Sequence, residues 1–140
     1  MPDVIRMRYE VPGDDFTRAG EASSSMKKLL KQLGVSPESI RKAAIAMYEG
    51  EINMVIHANG GGIDLEVHED RIHMVLKDTG PGIPDIELAM RAGYSTAPDN
   101  VRTLGFGAGM GLPNMKKYSD EMTVESTVGV GTTVTMVVYT

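Results

Sequence analysis

The sequence of 140 residues contains no cysteine. That excludes a disulfide framework, a thiolate metal site and a cysteine nucleophile. Tryptophan is also absent, whereas methionine occurs 11 times. Flexible thioethers make an adaptable core and can present a compliant contact surface. An excess of positive charge is missing too. The 14 Lys and Arg are outnumbered by 19 Asp and Glu, for a net charge of −5 and an isoelectric point near 5.1. No basic cluster stands out, which argues against a general nucleic-acid binder or a ligand of anionic membranes. No apolar run is long enough to span a bilayer, and the opening Met1-Pro2-Asp3-Val4-Ile5-Arg6 lacks the apolar stretch of a signal peptide. A soluble, cytoplasmic protein is expected. Internal repeats, linkers and low-complexity tracts are lacking, so one domain over 1–140 is the expectation at this length. The 41% of hydrophobic residues suffices for a sizeable core.

What is present is organised around the stretch Ala46 to Ala58, the C-terminal half of a helix. At about 100° per residue, Ile45, Ile52 and Ile56 fall within roughly 40° of one another and form a core-facing stripe. Glu49, Asn53 and His57 recur at i, i+4 and i+8 and form a polar stripe beside it. A carboxylate, an amide and an imidazole at the edge of a core are costly unless something binds there. By themselves they also read as the solvated flank of an amphipathic helix.

The chain opens with a strand, Val4 to Val11. Gly13-Asp14-Asp15 offers an N-cap, and Phe16, Ala19, Met26, Leu29, Leu30 and Leu33 recur with helical period up to Gly34, a natural C-cap. Ser36-Pro37-Glu38 starts the next helix with a cap, a proline at its first position and an early acid. Asn59-Gly60-Gly61-Gly62 stops it. Ile63, Leu65 and Val67, then Ile72, Met74 and Leu76, alternate with polar residues as two strands of a hairpin turning at Glu69-Asp70. Asp85 caps a short helix, Ile86 to Ala92. Gly93 to Phe106 shows no period and reads as a mobile loop, a lid over whatever the following glycines bind. A helix from about Leu112 to Tyr118 and a hairpin of Met122 to Ser126 with Thr132 to Tyr139 complete the chain. Helices and antiparallel strands are segregated. The expected fold is therefore a two-layer α/β sandwich, with a mixed, mostly antiparallel sheet and helices on one face.

Two further stretches bear on chemistry. Asp78 ends a strand just before Thr79-Gly80-Pro81-Gly82. A carboxylate in a groove accepts hydrogen bonds from an exocyclic amine such as that of adenine, and Gly80 and Gly82 let a flat base approach the backbone. Asp, Gly and Pro are also favoured in turns, so the stretch by itself equally describes a plain turn. Gly105, Gly107, Gly109 and Gly111 alternate just before a helix, which places unshielded N–H groups at a helix N-terminus, an arrangement that binds phosphate. A flexible hinge is the alternative. No Gly-Lys-Ser/Thr follows, so it is not a Walker loop, and no strand leads into it, so it is not a Rossmann fingerprint.

In order and spacing these stretches resemble the GHKL ATPase and kinase superfamily of gyrase, histidine kinases and their relatives. Glu49-x-x-x-Asn53 resembles its N box, Asp78 to Gly82 its first glycine box, Gly107-x-Gly109-x-Gly111 its second, and Gly131-Thr132-Thr133-Val134 its closing strand. The resemblance covers nearly the whole chain and implies a Bergerat-type ATP-binding fold. Within the superfamily the sequence is most similar to the small bacterial serine/threonine kinases of partner-switching modules, the anti-sigma factors and stress-response switch kinases. Asp78 to Asp85 and Leu104 to Glu121 resemble the switch-kinase branch. No phosphoacceptor-histidine or sensor domain precedes the motifs, so a complete histidine kinase is not expected.

The resemblance implies roles. Asn53 holds Mg²⁺, Glu49 is the general base, and Asp78 reads adenine with Thr132 behind it. Gly105, Gly107, Gly109 and Gly111 cradle the phosphates of ATP. His57 is either a support for Asn53 or a helix-end histidine with no such part. The sequence departs from the pattern at position 107, a glycine where some anti-sigma kinases carry an arginine that reaches the terminal phosphate. Arg102 is the available substitute. The implied activity is transfer of phosphate from ATP to a serine or threonine of a STAS-domain antagonist protein. The alternatives are a binding module that sequesters a sigma factor and an ATPase domain of histidine-kinase type. A homodimer is left open.

Overall fold

The computed structural model describes residues 4–13, 19–57, 60–80, 82–83, 90 and 111–140. Along these residues run β1 (Ile5–Pro12), α1 (Glu21–Gln32), α2 (Pro37–His57), β2 (Gly60–Val67), β3 (Arg71–Lys77), α3 (Gly111–Tyr118), β4 (Glu121–Thr127) and β5 (Gly131–Tyr139). The expected helix Ile86 to Ala92 lies outside the described residues apart from Met90. So does the loop Gly93 to Phe106, with Arg102, Gly105, Gly107 and Gly109.

The five strands form one sheet in the order β1-β2-β3-β5-β4. Every neighbouring pair is antiparallel, the limit of the mostly antiparallel sheet expected. Period-2 alternation decides the faces. Ile63, Leu65 and Val67 of β2, Ile72, Met74 and Leu76 of β3, and Val134, Met136 and Val138 of β5 are buried in one core. Met26 and Leu30 of α1, Ala43, Met47 and Met54 of α2, and Leu112 and Met115 of α3 fill the same core. Each large side chain buried there contributes roughly 1.5–3 kcal/mol. Because β5 inserts between β3 and β4, its first residues run beside the end of β3, where Lys77 pairs with Thr133. That register brings Thr132 to Asp78.

Local signals explain most element ends. The Ser36 hydroxyl accepts the Ser39 N–H at 3.4 Å and caps α2. At the end of α1 the Val35 N–H reaches the Leu30 carbonyl and the Gly34 N–H the Lys31 carbonyl, both at 3.1 Å. This pair of bonds is a Schellman motif, built on the C-cap expected at Gly34. The start of α1 differs from expectation. The helix begins at Glu21, after Gly20 with φ of 98°, a left-handed conformation that cannot continue a helix. Ala19 is a turn residue, and Asp14, Asp15 and Phe16 lie outside the described residues. β2 starts at Gly60, so the glycine run that ends α2 also opens the next strand.

The core stripe of α2 also differs. Ile52 is buried as expected, but Ile45 and Ile56 are only partly buried, whereas Ala43, Met47, Gly50 and Met54, at i, i+4, i+7 and i+11, are buried. α2 is covered by α1, α3 and the sheet together. A helix covered on several sides buries residues at many phases, so no single stripe announces its core face. Gly50 shows how close the packing is. A Cβ there would lie 2.2 Å from Leu76 Cδ2 and 3.0 Å from Met115 Cε. The missing side chain lets α2 lie against both β3 and α3. It is retained although glycine costs about 1 kcal/mol relative to alanine within a helix.

Candidate active site

Asp78 follows β3 and is half-buried. Its Oδ1 accepts the backbone N–H of Gly80 at 2.9 Å and that of Thr132 at 3.2 Å. The Asp78 N–H in turn donates to the Thr132 carbonyl at 3.0 Å. Both side-chain bonds that Asp78 makes among the described residues go to Oδ1. Thr132 supports Asp78 as expected, but through its main chain. Its hydroxyl pairs with the Ser126 hydroxyl at 2.9 Å. Ser126 also accepts the Ile83 N–H at 2.7 Å, tying the glycine-rich loop after Asp78 to β4. Ser126 was not anticipated. The sequence signal is a serine at an inward position of β4, following the inward Met122 and Val124.

Close backbone packing fixes this corner. Gly131 has φ of 151°, and a Cβ on it would stand 2.2 Å from the Asp78 carbonyl oxygen. A Cβ on Gly82 would stand 2.6 Å from the Thr127 carbonyl oxygen. A side chain at position 131 would push Asp78 away from β5, and one at position 82 would push the loop after it away from the end of β4.

Glu49 and Asn53 project from successive turns of α2 toward α3. Asn114 Nδ2 donates to Glu49 Oε1 at 3.4 Å, and Asn53 Nδ2 contacts Met115 Sδ at 3.8 Å. Both residues are half-buried. Burial pushes the Glu49 carboxyl above its ordinary value, and the Asn114 hydrogen bond opposes this more weakly. Asn114 was missed from sequence. Its signal is an asparagine within a short helix, where asparagine is a poor helix former. Gly111 opens α3, so the last glycine of the alternating set sits at the end of the helix that holds Glu49 and Asn53. His57 closes α2, and its side chain lies outside the described residues.

This donor set fits a magnesium nucleotide. The amide nitrogen of Asn53 faces a thioether, which leaves its oxygen for a hard cation. Mg²⁺ in nucleotide sites takes one or two protein oxygens plus phosphate and water. Among the described residues no cluster of three His, Asp or Glu side chains is placed to hold a metal. Oδ2 of Asp78, in a corner closed by main chain, suits an exocyclic amine.

A family model for the histidine kinase-, DNA gyrase B- and HSP90-like ATPases matches residues 38–139. The chain belongs to this ATPase family. The match begins in the first turn of α2 and ends with β5, so it spans Glu49, Asn53, Asp78 and Thr132. Among curated proteins, this member of the ATPase family is 33% identical to the serine/threonine-protein kinase RsbT of Bacillus subtilis (strain 168) over 110 residues, 76% of this chain and 77% of that protein. It is 33% identical to the anti-sigma F factor of Geobacillus kaustophilus (strain HTA426), over 79% of this chain and 68% of that protein. It is 32% identical to the anti-sigma F factor of Clostridium novyi (strain NT) over 129 residues, 88% of this chain and 83% of that protein. These likenesses agree with the partner-switching kinases that the sequence resembles. Among the described residues, no helix is long and apolar enough to cross a membrane.

Proposed function

We propose that the protein transfers the γ-phosphate of ATP to a serine or threonine of a STAS-domain antagonist protein, within a cytoplasmic partner-switching module. Its place among ATP-dependent serine/threonine kinases rests on the family match and the named relatives. The observation that carries the reaction is Glu49, a half-buried carboxylate with raised proton affinity, one helical turn from Asn53. A base with a pKa nearer the working pH accepts a hydroxyl proton more readily than an ordinary exposed carboxylate.

Bound Mg·ATP would supply the electrophilic phosphorus and the metal charge that offsets the developing negative charge. Asp78 Oδ2 would accept the adenine amine, and Thr132 would hold Asp78 in register. Gly80 and Gly82 would leave room for the base. Gly105, Gly107, Gly109 and Gly111 would offer backbone N–H groups to the phosphates, and Asn53 would hold Mg²⁺ by its amide oxygen. Glu49 would take the proton of the acceptor hydroxyl as its oxygen bonds to the γ-phosphorus and the bond from that phosphorus to the bridging oxygen breaks, with ADP leaving. Asn114 orients Glu49 from α3.

The test is incubation with γ-labelled ATP and each STAS-domain protein co-purifying from the native cell, followed by phosphosite mass spectrometry. Label on a serine or threonine is expected. The relatives named anti-sigma F factor favour a second reading, in which the protein chiefly sequesters a sigma factor. Stoichiometric capture of a sigma factor with no label on any STAS protein would select it.

A further inference from the structure

Glu51 has no part in the reaction above, yet its side chain is only 2% exposed. Its Oε2 accepts the backbone N–H groups of Gly20 at 2.9 Å and Ala22 at 3.1 Å. Its Oε1 accepts the Ser23 N–H at 3.1 Å and the Ser23 hydroxyl at 2.7 Å. The three N–H groups can only donate, and the Glu51 carboxyl oxygens accept all three at the positive end of α1.

Ser, Asp or Asn is the usual local cap, but its backbone is not left-handed as that of Gly20 is. Gly20 has no side chain, and the cap comes instead from α2, 31 residues away in sequence. The start of α1 is thereby fastened to the turn of α2 that carries Glu49 and Asn53. The ring of Tyr48 packs against Gly20, where a Cβ would stand 3.1 Å from Tyr48 Cε1. These contacts shape a cleft of about 760 Å³, lined by Gly20, Ser23, Ser24 and Lys27 on one side and by Tyr48 and Glu49 on the other.

From this geometry we infer that Glu51 is a positioning residue for Glu49, holding the start of α1 as the cleft wall that limits water around the Glu49 carboxyl. Its consequence for phosphate transfer rests on the role proposed for Glu49. The wall itself does not. The start of α1 and Glu49 line the same cleft, so that segment faces the Glu49 carboxyl across it. Glu21 and Lys27 also line the cleft from α1, and Asn114 faces Glu49 from α3.

The test uses the full chain without nucleotide or partner. Glu51→Gln sets an amide NH₂ against groups that are themselves donors. Ser23→Ala removes the hydroxyl bond and leaves the Glu51 charge in place. Carboxyl carbon NMR reads the titration of Glu49, and hydrogen exchange reads the amides of Gly20, Ala22 and Ser23. Both variants should exchange faster at those amides, Glu51→Gln by about tenfold or more. In both, the Glu49 titration should move down toward that of an exposed glutamate. The shift in Ser23→Ala decides the matter, because there it reports hydration and not lost repulsion between two carboxylates. It also serves if Glu51→Gln fails to fold. A Glu49 titration unchanged in Ser23→Ala overturns the inference and leaves Glu51 a purely structural cap. Absence of phosphate transfer by the wild type would sink the proposed reaction and alter neither readout.

Discussion

At the scale of single residues, Asp78 is held among the described residues through Oδ1, by the N–H groups of Gly80 and Thr132. Asp78→Asn changes the charged acceptor to a neutral amide that can turn an NH₂ toward the ligand. Loss of a charged hydrogen bond weakens ATP binding by about 1.5–3 kcal/mol. Isothermal calorimetry checks this, and unchanged affinity in a folded variant would remove Asp78 from adenine recognition. Glu49 supplies a pH signature. A general base acts only when deprotonated, so a raised pKa moves the acid limb of the pH–rate profile upward. Phosphate transfer should fall as pH drops through a value above the usual glutamate pKa of about 4.3. Asn114→Ala removes the bond that opposes the shift, so it should move that limb further up. A limb that stays in place or moves down would contradict the assignment.

At the scale of elements, the site depends on three contacts: β5 beside the end of β3, α2 against α3, and α1 against α2. Gly131 marks the first. Gly131→Ala would place a Cβ within 2.2 Å of the Asp78 carbonyl oxygen in a backbone conformation that alanine rarely adopts. The strain alone costs on the order of 1–3 kcal/mol. Urea unfolding should show a loss at least that large, together with weakened ATP binding. Wild-type stability and affinity would mean that this corner is not fixed as described.

The strands, the helix starts and stops at Ser36 and Gly34, and the polar pair Glu49 and Asn53 were legible because each signal is local. The capping of α1 was not. Its cap is a side chain 31 residues away, and Glu51 sits in a helix covered on several sides, where periodicity does not reveal a buried phase. The support of Asp78 was legible as to residue and not as to atom. Thr132 acts through its N–H, which every non-proline residue possesses, so no side-chain pattern could single it out.

At the scale of the whole molecule, segments distant in sequence meet in pairs. The end of β3 brings Asp78 to Thr132 at the start of β5, and the second half of α2 brings Glu49 and Asn53 to Asn114 and Met115 of α3. The ordered motifs named Glu49, Asn53, Asp78 and Thr132 by resemblance, while the partners Asn114, Ser126 and Glu51 required the packed structure. In the proposed function nucleotide binding and chemistry fall to different residues, and Glu49 belongs to the chemistry. The decisive measurement compares wild type with Glu49→Gln for Mg·ATP affinity by calorimetry and for single-turnover transfer to the STAS-domain partner. The variant keeps size and hydrogen bonding and removes basicity. Transfer should fall by about 10²-fold or more while affinity changes no more than a few-fold. Transfer at the wild-type rate would contradict the account.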